Sequence, residues 1–232
     1  MATLILVRHG RTTANASGLL AGRADGVSLD QVGRNQAALT GERLASVPVV
    51  GVVSSPLERC RQTAQLIIDR QAGAPSAPVD LDLDLTECDY GQWQGRKLSD
   101  LATEDLWPLV QSQPSAVVFP GGESMAAMQY RSVAAIRRHD AAFEAEHGPG
   151  AVWVAVSHGD VIKSILADAL GMHLDLFQRI NVSPASVSIV NFSAGRPSVY
   201  ATNTEAGDLS WLSNGIRSGD APVGGGSGQK TP

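Results

Sequence analysis

Four apolar, mostly branched residues, Leu4-Ile5-Leu6-Val7, run without a break into Arg8-His9-Gly10. A continuous run of this kind reads as a strand covered on both faces, the arrangement of a sheet packed between helices. Gly10 lets the backbone turn sharply beside whatever His9 touches. Ligands of open α/β sheets gather outside the carboxyl ends of such strands, so Arg8 and His9 stand where such a fold places its chemistry. An arginine next to a histidine there suggests an anion site that holds a nucleophile or a base.

The rest of the chain continues the alternation that this opening demands. Leu29 to Ser46 carries apolar residues at Val32, Leu39 and Leu44 and reads as a helix capped by Ser28. Val49 to Ser54 is a second buried strand, and Ser55-Pro56 opens a helix that runs through Arg59, Thr63 and Ile67 to a stop at Gly73-Ala74-Pro75. Val79 to Leu85 alternates apolar and acidic residues, the period of a half-exposed strand. Ser99 to Val118, interrupted by Pro108 and Pro114, reads as short helices and loop, part of a lid over about 88–122. Glu123 to Glu146 is a long helix, Ala151 to Val156 a strand, Asp160 to Leu170 a helix, and Ser186 to Phe192 and Ser198 to Thr202 are closing strands. The expected fold is α/β: a three-layer α/β/α sandwich with a mostly parallel central sheet and a small helical or loop lid. One domain is expected over 1–212, followed by a disordered Gly/Ser-rich tail over 213–232.

Composition restricts the functional class. A chain of 232 residues with 43% hydrophobic and 18% charged residues can bury a full core as one domain. Its net charge of -5 argues against nucleic acid or an acidic membrane surface as partner. No apolar run is long enough to span a bilayer, and the amino terminus lacks a signal-peptide pattern, so a cytoplasmic location is expected. Cys60 and Cys88 cannot make a disulfide framework and read as reduced packing residues. No zinc-ligand spacing and no phosphate-binding glycine loop ending in Lys-Ser or Lys-Thr is present, so neither metal nor nucleotide cofactor is expected. His139, His147 and His173 read as surface residues, and Trp93 and Trp107 fall near the expected pocket entrance. The edge strand Ser198 to Thr202 can pair across a homodimer or end in solvent.

Three strand ends converge on one chemistry. Val7-Arg8-His9-Gly10, Ser54-Ser55-Pro56-Leu57-Glu58-Arg59 and Val156-Ser157-His158-Gly159 each follow an apolar run directly. In a parallel sheet these junctions share an edge, which brings Arg8, His9, Arg59 and His158 to one pocket. Two arginines offer bidentate hydrogen bonds to phosphate oxygens. Two histidines divide the remaining work, one attacking and one stabilising charge.

With these junctions stand Thr12 and Asn15, Leu29 to Ala37 with Gly33 and Gln36, Gln62-Thr63-Ala64, Glu87 with Tyr90-Gly91 and Trp93-Gln94-Gly95, and Pro120-Gly121-Gly122-Glu123-Ser124. In this order, from Leu4 to about Thr202, the chain resembles the histidine phosphatase superfamily, also called phosphoglycerate mutase-like, and within it the small bacterial phosphatases. The resemblance implies a metal-independent phosphomonoester hydrolase acting on small phosphorylated metabolites through a phosphohistidine. His9 would be the nucleophile, with its other ring nitrogen held by a backbone carbonyl. Arg8, Arg59 and a protonated His158 would hold the phosphoryl oxygens, with Asn15 as a neutral donor and Ala21, Gly22 and Gly159 around the substrate. Glu87 would be the acid and then the base, and the rate would peak on the acidic side of neutral.

Departures from the family pattern bear on the substrate. Arg11 stands where many members carry glutamate or glutamine, which implies a more cationic entrance suited to a second anionic group. Ala21 replaces a hydroxyl or amide side chain, and Gln94 a frequent glutamate. A phosphomutase of the phosphoglycerate type starts from the same phosphohistidine, and a non-catalytic phospholigand binder would keep the pocket. The short, cation-poor segment Arg96 to Pro120 favours hydrolysis over transfer, since a mutase must exclude water.

Overall fold

In this computed structural model, residues 2–71, 79–192, 196–207 and 224 are described. The opening run forms β1 (Thr3–Arg8), and its period-two alternation divides the interior. Leu4 and Leu6 join one buried apolar cluster, and Ile5 and Val7 the other. β2 (Val49–Ser54), β3 (Asp80–Leu81), β4 (Val152–Ser157), β5 (Val187–Asn191) and β6 (Ser198–Thr204) complete one sheet in the order β3-β2-β4-β1-β5-β6. The first four in that order run parallel, while β5 is antiparallel to β1 and β6 to β5.

Helices cover both faces, as the opening strand requires. α2 (Gln31–Leu44) and α3 (Glu58–Ile68) pack Leu44, Cys60, Ala64 and Ile67 against Ile5, Val7, Val154 and Val156. α6 (Met125–His147) and α7 (Gly159–Ala169) bring Met128, Ile136, Ile162 and Leu166 to the face of Leu4, Leu6, Trp153 and Ala155. Each valine, leucine, isoleucine or methionine among them, fully buried, contributes about 1.5–3 kcal/mol of transfer free energy before entropy is counted. The result is the three-layer α/β/α sandwich with a mostly parallel sheet. Register does the functional work: Arg8 pairs with Ser157 and Ser54 with Val156, so β1, β2 and β4 end together at one edge.

Several local boundaries differ from the sequence expectation. α2 is capped by Asp30, whose Oδ1 accepts from Gly33 N at 2.7 Å, not by Ser28. Leu29 is instead buried in a bridge to Thr12, which leaves Asp30 as the first residue free to cap. The expected strand Val79 to Leu85 shrinks to β3, because Asp82 accepts from Asp84 N and turns Leu83–Leu85 into a 3-10 helix. α3 begins at Glu58, two residues after Pro56. The short helix α1 (Thr13–Ala16), closed by a Thr12/Asn15 capping box, carried no apolar period to announce it.

The expected lid is firmly attached. α4 (Leu98–Leu101) and α5 (Trp107–Ser112) contribute Leu101 and Val110 to the buried cluster, and Val117 and Phe119 follow them there. Trp93 stacks on Trp107 with ring centroids 6.1 Å apart, and neither ring lines the cavity described below. His139 is not a surface residue either. Its Nε2 lies 2.7 Å from Asp82 Oδ2 and its ring 5.9 Å from that of Trp153, tying α6 to the segment after β3.

Cys60 and Cys88 are both buried free thiols. No helix among the described residues is long and apolar enough to cross a membrane. The stop at Gly73-Ala74-Pro75 lies outside the described residues, as does the expected tail over 213–232 apart from Gly224.

Candidate active site

The shared edge of β1, β2 and β4 holds a small cavity. Its wall is made by His9, Thr12, Asn15, Ala21, Gly22, Arg59 and Glu87, closed by Leu19, Leu20, Leu98 and Gly224. His9 leaves β1 into a loop pressed against the start of α2. A Cβ on Gly10 would sit 2.3 Å from the Gly33 carbonyl oxygen, and one on Gly33 1.9 Å from that of Arg11. Only two glycines allow these backbones to touch, and Thr63 Oγ1 on α3 then accepts from Gly10 N at 3.1 Å.

His9 is 3% exposed, and its two ring nitrogens face unlike partners. Nδ1 is 2.7 Å from the Gly10 carbonyl, which can only accept, so Nδ1 carries the hydrogen. Arg59 Nε donates to Nε2 at 3.3 Å, so Nε2 presents a lone pair. The backbone carbonyl therefore fixes the neutral tautomer, as anticipated. Burial pushes the imidazole well below its usual range, and the charges of Arg59 and Arg8 add to this against a smaller opposite effect of the Gly10 bond.

His158 differs from the expectation. It is fully buried at the N-cap of α7, with its ring 5.2 Å from that of His9. Arg59 Nη2 donates to Nδ1 at 3.2 Å, which leaves Nε2 to donate to Ser55 Oγ at 2.8 Å. Burial first, then Arg59, His9 and Arg8, hold its pKa well below the usual range. In the unliganded protein burial and these neighbours therefore disfavour the protonated form that the resemblance implies. Two arginines within a dry site repel a further cation, an effect that spacing along the chain does not reveal.

Arg59, on the first turn of α3, connects the groups. Its Nη2 also donates to the Gly22 carbonyl at 2.7 Å, while its Nη1 is buried without a hydrogen-bond partner. A buried guanidinium nitrogen left this way is costly unless an anion completes it. Arg8 is anchored through Nη1 to the Val182 carbonyl at 2.8 Å. Burial brings it down to about 10, so it stays charged at neutral pH.

Glu87 is 3% exposed and accepts from Cys88 N at 3.0 Å. Burial first, then the nearby Asp160, push its carboxyl up to about 7 against the opposing pull of Cys88 N, Arg59 and Arg8. Its backbone is pinned from outside: Arg23 Nε and Arg131 Nη2 donate to its carbonyl at 2.8 and 3.2 Å. Both arginines are gathered by Glu123, at 2.9 and 2.6 Å. Arg23 and Arg131 escaped the sequence reading because neither follows a strand. Their signal was the acidic partner inside the Gly121-Gly122-Glu123-Ser124 motif.

The remaining expected residues divide. Asn15 lines the cavity, with Oδ1 spent on Thr12. Ala21 and Gly22 line it too, and Gln94 Oε1 accepts from Arg23 N at 2.8 Å, which secures that loop. Gly159 is buried at the start of α7, away from the wall. Arg11 is also off the wall: Nε donates to Asp30 Oδ2 at 2.8 Å, with Oδ1 of the same carboxylate capping α2. The Arg11 charge is matched there, so it does not make the cavity entrance cationic.

A buried imidazole whose Nε2 lone pair meets only a long bond from Arg59, two buried guanidinium groups and a protonatable carboxyl have the chemistry to pass an anionic group to nitrogen. Known proteins point the same way. The profile of the histidine phosphatase superfamily (branch 1) matches residues 4–205. "Probable phosphoglycerate mutase GpmB" of Erwinia tasmaniensis is 32% identical over 217 residues, covering 91% of this chain and 95% of that protein. Its counterpart from Salmonella typhi is 31% identical over the same extent. Among solved structures, a mycobacterial glucosyl-3-phosphoglycerate phosphatase in complex with VO3 superposes with a TM-score of 0.78 at 26% identity, covering 88% of this chain and 99% of that one. The α-ribazole phosphatase of Shigella flexneri gives 0.75 at 26%, covering 89% and 98%. The catalytic edge read from three strand ends and the match along nearly the whole chain agree: the protein belongs to the histidine phosphatase superfamily, branch 1.

Proposed function

We propose that the protein hydrolyses small phosphomonoesters, without a metal, through a phosphohistidine on His9. The observation that carries this reading is the Nε2 lone pair of His9 beside the unpartnered Nη1 of Arg59 in one buried cavity. Nε2 attacks phosphorus while the bond from phosphorus to the ester oxygen breaks. Glu87, protonated at neutral pH and below, gives its proton to the departing alcohol. Arg59 and Arg8 balance the charge on the phosphoryl oxygens, and Asn15 supplies a neutral donor. A bound dianion offsets the burial and cation repulsion that disfavour a charged His158, so His158 gains its proton in the complex. Water then attacks phosphorus, Glu87 takes one of its protons, and inorganic phosphate leaves with His9 restored.

The names of the two relatives above favour a second reading, transfer of the phosphoryl group within phosphoglycerate. Incubation with 3-phosphoglycerate separates the two: hydrolysis releases free phosphate, and a mutase makes 2-phosphoglycerate instead. A short pulse of a generic phosphomonoester followed by alkaline mass spectrometry should find an acid-labile phosphate on the wild type and none on His9→Ala. Its absence from wild type despite measured ligand binding would turn the assignment into a phospholigand binder.

A further inference from the structure

A second buried ionisable cluster lies next to the site and takes no part in the chemistry above. Asp160 is fully buried on the first turn of α7, two residues after His158. Its Oδ2 accepts from Tyr90 Oη at 2.7 Å and from Gly224 N at 2.9 Å. Oδ1 has no hydrogen-bond partner, and the neighbouring Lys163 Nζ, itself 1% exposed, stands 3.7 Å away. One of the three Lys163 N–H donors goes to Gln178 Oε1 at 3.1 Å, and the ion pair to Asp160 stays longer than a hydrogen bond. A buried carboxylate is tolerable when close partners cancel its field. Here the cancellation is incomplete, and in a dry interior the remainder acts over several ångströms.

The fold aims that remainder at the general acid. Tyr90 belongs to the same segment as Glu87, so its bond to Asp160 fastens the acid's segment to the start of α7. We propose that Asp160 is a positioning residue of the acid–base step: its buried, incompletely paired carboxylate holds Glu87 in the protonated form that donates to the leaving oxygen. The other groups facing Glu87 pull the opposite way: Arg8 from β1, Arg59 from α3, Arg131 from α6 and Lys163 from α7. Without Asp160 burial alone would oppose these four cations, and less of Glu87 would stay in the form that donates. The nearby negative charge is accordingly the second cause, after burial, that raises Glu87.

This inference rests on the phosphatase reading of Glu87, and its test separates the two. Asp160→Asn removes the charge and keeps a side-chain acceptor for Tyr90. Asp160→Ser is the smaller neutral replacement should the first not fold, and Asp160→Glu retains the charge. The alkaline limb of the rate profile is expected to move toward acid by about one pH unit in a neutral variant and to stay near wild type in Asp160→Glu. Infrared titration of the carboxyl band removed by Glu87→Gln should follow the same displacement, with no turnover needed. A limb and a carboxyl band unmoved in the folded neutral variants, whatever the loss of kcat, would overturn the role of Asp160. If wild type forms no phosphohistidine, the phosphatase reading fails, while the infrared titration still decides whether the Asp160 charge keeps Glu87 protonated.

Discussion

Replacing Glu87 by glutamine should make the protein more stable and nearly inactive, and the gain should depend on pH in a defined way. In the unfolded chain the carboxyl ionises at its ordinary value of 4.5, and in the folded chain burial and Asp160 raise it to about 7. Between those values the folded protein holds a proton that the unfolded chain has released. Wild-type stability contributed by this group is therefore present at low pH and lost as pH rises through about 7. At about 1.4 kcal/mol per tenfold change in proton affinity, the loss between about pH 5 and about pH 8 comes to about 2.5 kcal/mol. Glutamine keeps the volume and has no proton to lose. His9 and His158 lie below their ordinary values in both proteins, so their own loss of stability on acidification largely cancels in the difference. Urea unfolding of both proteins at the two pH values measures that difference directly. Equal curves at both pH values, within the usual error of extrapolation, would refute the buried, proton-holding state of Glu87 and the acid role built on it.

Other outcomes follow from single contacts. Arg59→Ala removes both the donor to His9 Nε2 and the unpartnered Nη1, and should lower kcat/KM on a generic phosphomonoester by at least about a hundredfold. Arg11→Gln should leave KM for bis-phosphorylated or carboxylated esters unchanged, because the Arg11 side chain is engaged by Asp30; a several-fold rise would restore it to the substrate site. Gly33→Ala drives a methyl group into the Arg11 carbonyl and should cost at least about 2 kcal/mol in urea unfolding, with the loop carrying His9 displaced. The wild-type rate should peak on the acidic side of neutral and fall as pH rises through about 7, where Glu87 loses its proton.

What could be read from the chain was what sequence order encodes. Apolar runs ending in Arg8-His9, Ser54-Ser55 and Ser157-His158 located three strand ends, and parallel pairing at one sheet edge brings those ends together. Asp30 as cap was not legible, because Ser28 and Asp30 are equally good capping types and only the burial of Leu29 against Thr12 chooses between them. The attached lid escaped because prolines and irregular spacing hide how Leu101, Val110 and Phe119 reach the core. Charge states escaped most completely. Whether His158 is protonated depends on how near Arg59, His9 and Arg8 come in three dimensions, and Asp160 could be tied to Glu87 only after α7 and the Glu87-Tyr90 segment were packed together.

The Gly10 carbonyl has a consequence for the covalent intermediate itself. By occupying Nδ1 of His9, it leaves phosphorus a single nitrogen to bond, so the phosphoenzyme proposed above would be the Nε2-linked, or tele, isomer. That isomer resists spontaneous hydrolysis better than the Nδ1-linked one, which would give the proposed reaction an intermediate that can wait for its water. Antibodies that distinguish the two isomers would then read the direction of a ring held by one backbone oxygen.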